Sequence, residues 1–361
     1  MIMCCRNEAE HIRAVLESLL AQEDVEGGFE VIVADGISED GTRQVVEGLA
    51  KNHGRIRMID NPDRIAAAGL NSAIRASKGD IIIRVDAHTE YASDYACRCV
   101  QALKETKADN VGGPARTKAD THVQMAIAAA YHSPFAVGGA LFHDPDYEGY
   151  VDTVTYGCWR KEAFERFGYF DEELVRNQDD EHNLRIIRGG GRIWQSPKIK
   201  SWYQPRRSPG ALFKQYMQYG YWKVRVIQKH KLPASWRHLV PGGFVLTLGI
   251  LALVAALCRL ISPFWSWSSV PGGASVAALL VLVATYCVAA LAASTVTAAK
   301  EGWSLLPALP LVFACYHFGY GYGFLRGIWD FMVRRKNPGH QFVQLTRTAS
   351  KARHPGKAPV L

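Results

Sequence analysis

Asp35, Asp86 and Asp179 each close a short segment in which polar side chains follow an apolar or acidic stretch: EVIVADGISEDGT, GDIIIRVDAHTEY and ELVRNQDDEHNLR. Asp35 and Asp86 stand where a buried strand ends, the place at which open α/β sheets hold their ligands. A carboxylate at Asp35 can accept hydrogen bonds from the N–H groups of a base or the hydroxyls of a ribose. Its plainer role is to cap the next helix, although Asp40 fits that role better. Asp86 and His88 occupy alternate positions and can face one side, where a divalent cation would bridge two phosphates and offset the charge growing on a leaving group. Mg²⁺ prefers oxygen, whereas His favours Mn²⁺; the competing role of His88 is that of a structural turn residue. Asp179 and Asp180 form a carboxylate pair beside Gln178 and Glu181, and like charge raises a pKa toward that of a general base. The alternative is an acidic helix N-terminus stabilised by the helix dipole. Arg185 and Arg188 follow, placed to pair with these acids or to reach a phosphate. Together these residues suggest metal-assisted transfer from a nucleotide diphosphate.

The surrounding elements must bring these groups together. Helical spacing over Glu8 to Ala21 puts Ile12, Val15, Leu16, Leu19 and Leu20 on one face. Strands are predicted at Phe29 to Ala34, Ile56 to Ile59 and Asp80 to Val85, with helices at Thr42 to Asn52 and Ala66 to Ser77 between them. Further along, helices are expected at Asp94 to Glu105, Lys161 to Phe167 and Asp180 to Arg188, and strands at Asn110 to Gly113, Thr153 to Cys158 and Arg192 to Gln195. This alternation predicts an α/β fold with a mostly parallel, Rossmann-like sheet covered on both faces. The first strand begins abruptly at MIMCC, and a longer strand is expected there. Residues 117–150 contain HVQMAIAAAYHSPFAVGGALF, too interrupted by Pro134 and Gly138-Gly139 to span a bilayer. They read as a helix and loop lining an acceptor pocket.

The 361 residues split at about Trp236 into a mixed-charge part and an apolar part. Ala211 to Lys231 mixes aromatic and basic residues, as in a helix lying in a membrane interface. There Gln215, Gln218, Tyr219 and Trp222 offer hydrogen bonds and stacking to a sugar or diphosphate, or else form an aromatic belt. Three apolar runs follow, Leu239 to Ile261, Ala274 to Ala298 and Leu305 to Leu325, each long enough to cross about 30 Å of hydrocarbon. Three crossings from a cytosolic domain would leave Arg326, Arg334, Arg335 and Lys336 outside, against the positive-inside rule, so one run is expected to be re-entrant or split. The expected plan is therefore a catalytic domain at 1–210, an amphipathic interfacial region at 211–238, two to four crossings within 239–325, and a basic tail at 326–361. The net charge of +8 arises beside apolar runs rather than along one helix, which points to an anionic membrane surface and not to nucleic acid. Eight cysteines without paired CxxC units support neither zinc nor a disulfide framework, and imply a reduced, cytosolic catalytic face.

The ordered segments CCRNEAE, VIVADGISEDGT, GDIIIRVDAH, YGCWRKEAFERFGYFDEEL and NQDDEHNLR closely resemble the inverting glycosyltransferases of family 2, over residues 1 to 210. With the apolar runs that follow, the chain looks most like the succinoglycan-type exopolysaccharide glucosyltransferases of bacterial membranes. The resemblance implies a GT-A fold, with Asp35 against the uracil and Asp86 as the first acid of the DxD motif, near ribose and metal. His88 stands where the second acid binds the metal, Asp179 is the catalytic base, and Asp180 is the fallback. Asn7, Glu8, Asn71, Arg185, Gln215 and Trp222 fall on the nucleotide-sugar side. It further implies a hexose, glucose first, moved from a UDP-sugar with Mn²⁺ or Mg²⁺ to a saccharide on a polyprenyl diphosphate. The chain would then be a multi-pass protein of the cell inner membrane, with partner enzymes of a glycan assembly pathway. The sequence departs from the pattern at His88, at Gln178, and at Gln215 to Trp222, where QxxRW has become QYMQYGYW without its Arg.

That last departure favours addition of one sugar over polymerisation. The rivals are a processive polysaccharide synthase, a transferase charging a polyprenyl phosphate with one sugar, and an inactive nucleotide-binding membrane scaffold.

Overall fold

The structure is a computed structural model that describes residues 1–23, 25–261 and 269–337, with backbone alone for 269–271. The elements run in chain order from β1 (Ile2–Cys5) and α1 (Ile12–Leu20) to β2 (Val31–Asp35), α2 (Thr42–Asn52), β3 (Ile56–Asp60) and α3 (Ala66–Ala76). Next come β4 (Ile81–Val85), β5 (Thr89–Tyr91), α4 (Tyr95–Thr106), β6 (Asn110–Gly113), α5 (His122–Tyr131) and α6 (Pro134–Val137). After these lie β7 (Gly149–Tyr150), β8 (Thr155–Arg160), α7 (Glu162–Phe167), α8 (Gln178–Arg188), β9 (Ile193–Gln195) and β10 (Ser201–Tyr203). The helices α9 (Pro209–His230), α10 (Val240–Ile261), α11 (Ser269–Glu301) and α12 (Leu309–Gly327) complete the chain.

Successive residues of β1 and β2 point to opposite faces of the sheet, which is why both strands read as continuous apolar runs. Met3 and Val33 pack with Leu16, Val46 and Leu103 on one side. Ile2 and Ile32 pack with Leu70, Phe164 and Ile186 on the other. The sheet order is β3-β2-β1-β4-β8-β6-β9-β7. β1, β2, β3 and β4 pair in parallel, as do β6 and β9, whereas β8 runs antiparallel between β4 and β6. The predicted strands are present, and the mostly parallel sheet gains antiparallel members where β8 enters. β5, β7 and β10 carry too few residues to show a period of two. β5 pairs with β10 directly beyond Asp86, setting Tyr203 opposite Thr89.

The C-terminal helices are tied to one another by packing. α9 does not lie exposed: Leu212, Gln218, Tyr221, Trp222 and Val226 are buried, and the helix packs along α12. Glycines make this close approach possible, since Gly220 faces the Tyr320 carbonyl, Gly319 the Phe213 backbone and Gly323 the Met217 carbonyl. The third apolar run is thus engaged with α9 through α12, much of which is buried, from Leu309 to Gly327. Among the described residues, two helices are long and apolar enough to cross a membrane, Trp236–Ile261 and Gly272–Glu301. Both leave rows of Leu, Ile and Val exposed. Of the tail expected at 326–361, residues 338–361 lie outside the described residues.

Gly323→Val drives a side chain into the Met217 carbonyl, so overpacking is expected to cost about 1–3 kcal/mol. A thermal melt in detergent checks this against Gly249→Ala, where nothing lies within 4 Å and the melt should hold or rise slightly.

Candidate active site

The C-terminal ends of β1 and β4 open into a cavity of about 1060 Å³. Strand alternation turns Arg84, Asp86 and His88 toward it from β4 and the turn beyond. Arg84 is only 12% exposed, and its guanidinium donates to Asp179 Oδ2 across the cavity at 3.2 Å. Burial alone would lower the Arg84 pKa, but Asp179 and Asp86 outweigh it and hold the group charged. Asp179 Oδ1 accepts from the backbone N–H of Asp180 at 2.9 Å, so each carboxylate oxygen has a donor and the side chain, 45% exposed, keeps lone pairs facing the cavity.

His88 Nδ1 is buried without a hydrogen-bond partner, 3.4 Å from Asp86 Oδ1 and 3.5 Å from Glu8 Oε1. That donor set suits a borderline cation. Asp86 and His88 are the two ligands it offers, with Glu8 beside them; among the described residues no preformed cluster of three ligands is assembled. Tyr156 also lines the cavity, at φ 62, a conformation strained for a bulky residue. Its hydroxyl is hydrogen-bonded to that of Thr89.

Residues 1–167 match the family model described as glycosyl transferase family 2. Succinoglycan biosynthesis protein ExoA of Rhizobium meliloti is 33% identical over 243 residues, covering 67% of this chain and 73% of that protein. The chain belongs to glycosyl transferase family 2. A Methanococcus voltae relative, a dolichyl N-acetyl-alpha-D-glucosaminyl phosphate 3-beta-D-2,3-diacetamido-2,3-dideoxy-beta-D-glucuronosyltransferase, is 27% identical over 330 residues, 89% of this chain and 94% of that one. A Pyrobaculum calidifontis mannosyltransferase, solved with GDP-Man and Mn²⁺, is alike in fold, with a TM-score of 0.54 at 20% identity over 91% of this chain and 86% of that one. The fold is GT-A, and the chain is a glycosyltransferase.

Within this family 2 enzyme the sequence-derived residues separate. Glu8, Asp86, His88, Asp179, Asp180 and Gln215 line the cavity. Asp35 does not: it is fully buried, accepting from Ser38 and from Arg43, which also bridges to Asp60. Asn7 lies outside as well, receiving Glu39 N–H at 2.9 Å and donating to Ser38 Oγ, so it ties two loops. Asn71 clamps the turn before α8 by bonding both the N–H and the carbonyl of Phe170. Arg185 is engaged by Glu181 and by the carbonyls of Phe167 and Tyr169, and Arg188 donates to the His230 carbonyl. Trp222 is wholly buried against Tyr221 and Phe331. For Asn71, Arg185 and Trp222 the structure therefore gives a packing role in place of the expected ligand contact.

The Asp179–Asp180 pair also needs correction. Like charge does not dominate there, because each acid has its own cation: Arg84 for Asp179 and Lys223 for Asp180. Burial pushes the Asp180 pKa up, but Lys223 overrides it and holds the carboxyl below its ordinary range. Sequence reasoning missed Arg84, although its alternation with Asp86 was a signal. It also missed Tyr156, Arg176, Arg206 and Lys223, whose approach depends on long-range packing.

Because the folded Asp180 pKa is depressed, its stabilisation is complete above the ordinary carboxyl value of 3.8 and is lost as pH falls through the lower folded value. Lys223→Met removes the partner of a carboxylate that is 30% exposed, and is expected to cost about 3 kcal/mol. The deficit in melting temperature against the wild type should be full at neutral pH and shrink as pH falls below about 3.8, where the Asp180 carboxylate loses its charge in both proteins.

Proposed function

We propose that the enzyme moves a hexose from a UDP-sugar onto a saccharide carried by a membrane lipid, with inversion at the anomeric carbon, in the synthesis of an exopolysaccharide or other surface glycan. The observation that carries this reading is the continuity of the cavity. Its polar end holds Asp86, His88 and Asp179, and its other end is walled by Phe135, Phe244, Tyr286 and His317. Phe244 and Tyr286 belong to α10 and α11, so one space connects the acids to the apolar helices. Tyr286 bonds His317 Nδ1 at 3.1 Å, and His317 Nε2 donates to the Phe135 carbonyl at 2.8 Å, which fixes α11, α12 and the catalytic domain around that end. The name of the archaeal relative, which describes a sugar on dolichyl phosphate, agrees with a lipid-borne acceptor.

Asp179 takes the proton of the acceptor hydroxyl as that oxygen attacks the anomeric carbon from the face opposite the nucleotide. Arg84 fixes the orientation of that carboxylate. Asp86 and His88 would hold a divalent cation on the nucleotide side. Such a cation offsets the charge gathering on the departing diphosphate. Apolar walls hold the acceptor tail beside the site, which replaces a search in three dimensions by one in a plane.

Two crossings by α10 and α11 would return the chain to the side of the catalytic domain. His122 of α5 meets the Ser304 carbonyl just past α11, and Tyr316 of α12 donates to the Ile127 carbonyl. Arg326, Arg334, Arg335 and Lys336 then lie on the cytosolic side with the active site, and the conflict created by three crossings disappears. This topology supports a cytosolic active site at the cell inner membrane.

Asp179→Asn is expected to abolish transfer, by about 10³-fold or more, while UDP binding is retained. Transfer at the wild-type rate by this variant sinks the assignment of the base. Product mass separates the rivals: an oligosaccharide lipid extended by one hexose supports the proposal, a long polymer the processive synthase, and a monosaccharide phospholipid the polyprenyl-phosphate transferase. Chelation should stop transfer and Mn²⁺ restore it. His88→Asp, with an all-oxygen ligand pair, should shift the preference toward Mg²⁺ when metal binding is measured by calorimetry in the presence of UDP.

A further inference from the structure

We propose that Arg176 and Arg206 form a clamp for a phosphate or diphosphate group inside the cavity, held open by two glutamines of α9. Arg176 Nε donates to Gln218 Oε1 at 3.1 Å, and Arg206 Nε donates to Gln215 Oε1 at 3.0 Å. Both arginines line the cavity, one from the segment before α8 and the other from the loop after β10. Neither is ion-paired among the described residues, whereas Arg84 and Lys223 in the same cavity each have a carboxylate.

Neutral amides orient a guanidinium without cancelling its charge; Arg176 Nη1 also donates to the Val175 carbonyl at 3.0 Å, and the remaining N–H groups of the two guanidinium groups stay available to an oxyanion. Two polar atoms here are buried with no hydrogen-bond partner, Arg206 Nη1 and Gln218 Nε2, and Gln218 is only 1% exposed. Unsatisfied donors of this kind are rare in a folded protein and mark a place where an acceptor belongs. Burial lowers the pKa of Arg176, and the neighbouring charge of Arg206 adds to that lowering, against the opposing pull of Tyr219 and Asp86. Two cations brought together in a buried space are relieved by a dianion. The assembly is anchored further by Asn177, whose side-chain amide donates to the Tyr219 carbonyl at 2.9 Å, and by Gln215, which donates to the Tyr219 hydroxyl at 2.9 Å. Gln215 and Gln218 are the remains of the degraded QxxRW segment. The positive charge that segment lacks is thus delivered from two other loops.

The ligand chemistry rests on the proposed reaction: a UDP-sugar donor carries a diphosphate, and a lipid-borne acceptor carries a phosphate or diphosphate. Full-length protein in detergent is titrated with inorganic diphosphate, UDP and a polyprenyl diphosphate. Wild type should bind inorganic diphosphate, and Arg176→Gln or Arg206→Gln should weaken that binding and the binding of at least one organic probe about tenfold or more. A loss confined to UDP assigns the clamp to the donor, a loss confined to the polyprenyl diphosphate assigns it to the acceptor, and a loss of both assigns it to a shared position. Binding of every probe within about twofold of wild type in both variants overturns the clamp. Should either variant fail to fold, Gln215→Ala and Gln218→Ala, which keep both charges but release the forks, carry the same comparison. Sugar transfer by the wild type, followed in parallel, judges the proposed reaction separately from the clamp.

Discussion

The guanidinium of Arg84 answers two carboxylates of the cavity, Asp86 just past its own strand and Asp179 on a helix 95 residues beyond Arg84 in sequence. Two acids facing one cavity repel each other, and a buried arginine left unpaired is costly. Each half is stable only with the other, so β4 and α8 are held at a fixed separation by charge as well as by packing. The Asp86 and Asp179 sides of the cavity meet at this contact.

The second tie is of the same kind. Lys223, buried on α9, pairs with Asp180, so the helix carrying the acids is also fastened to the helix that packs along α12. α12 in turn stands against α10, where Gly321 meets the Pro241 carbonyl and Gly242 the ring of Phe324. A continuous path of contact therefore runs from the carboxylates to the apolar helices. The cavity follows that path, and so its chemistry changes gradually from charged to aromatic along its length.

The fold was largely legible in the sequence because β1, β2 and β4 are short apolar runs at βα spacing, and because the amphipathic helices between them show a 3.6-residue period. That Asp86, His88 and Asp179 share the cavity was legible for a similar reason: they stand just past β4 or in the first turn of α8, elements whose positions were already marked. Trp222 and Arg185 were not. An aromatic residue on a helix reads the same whether it faces a ligand, a lipid or a neighbouring helix, and a helical arginine reads the same whether it meets a phosphate or a carbonyl. Asn71 is a further case, since a buried amide that clamps a turn leaves no periodic trace. Which of the three apolar runs departs from a simple crossing was not legible, because hydropathy registers burial without saying whether lipid or protein provides it; much of α12 is buried against protein. Its glycines at 319, 321 and 323 held the better signal, as close helix packing selects small residues.

The sequence by itself determined which segments become strands and helices, and which acids stand at their ends, because those properties depend on local periodicity and turn chemistry. Only the tertiary structure decided the partners of those acids. Arg84, Lys223, Arg176 and Arg206 arrive from four separate segments, and whether a carboxylate stands beside a like charge, a cation or a neutral amide depends on distances of a few ångströms that sequence spacing does not encode.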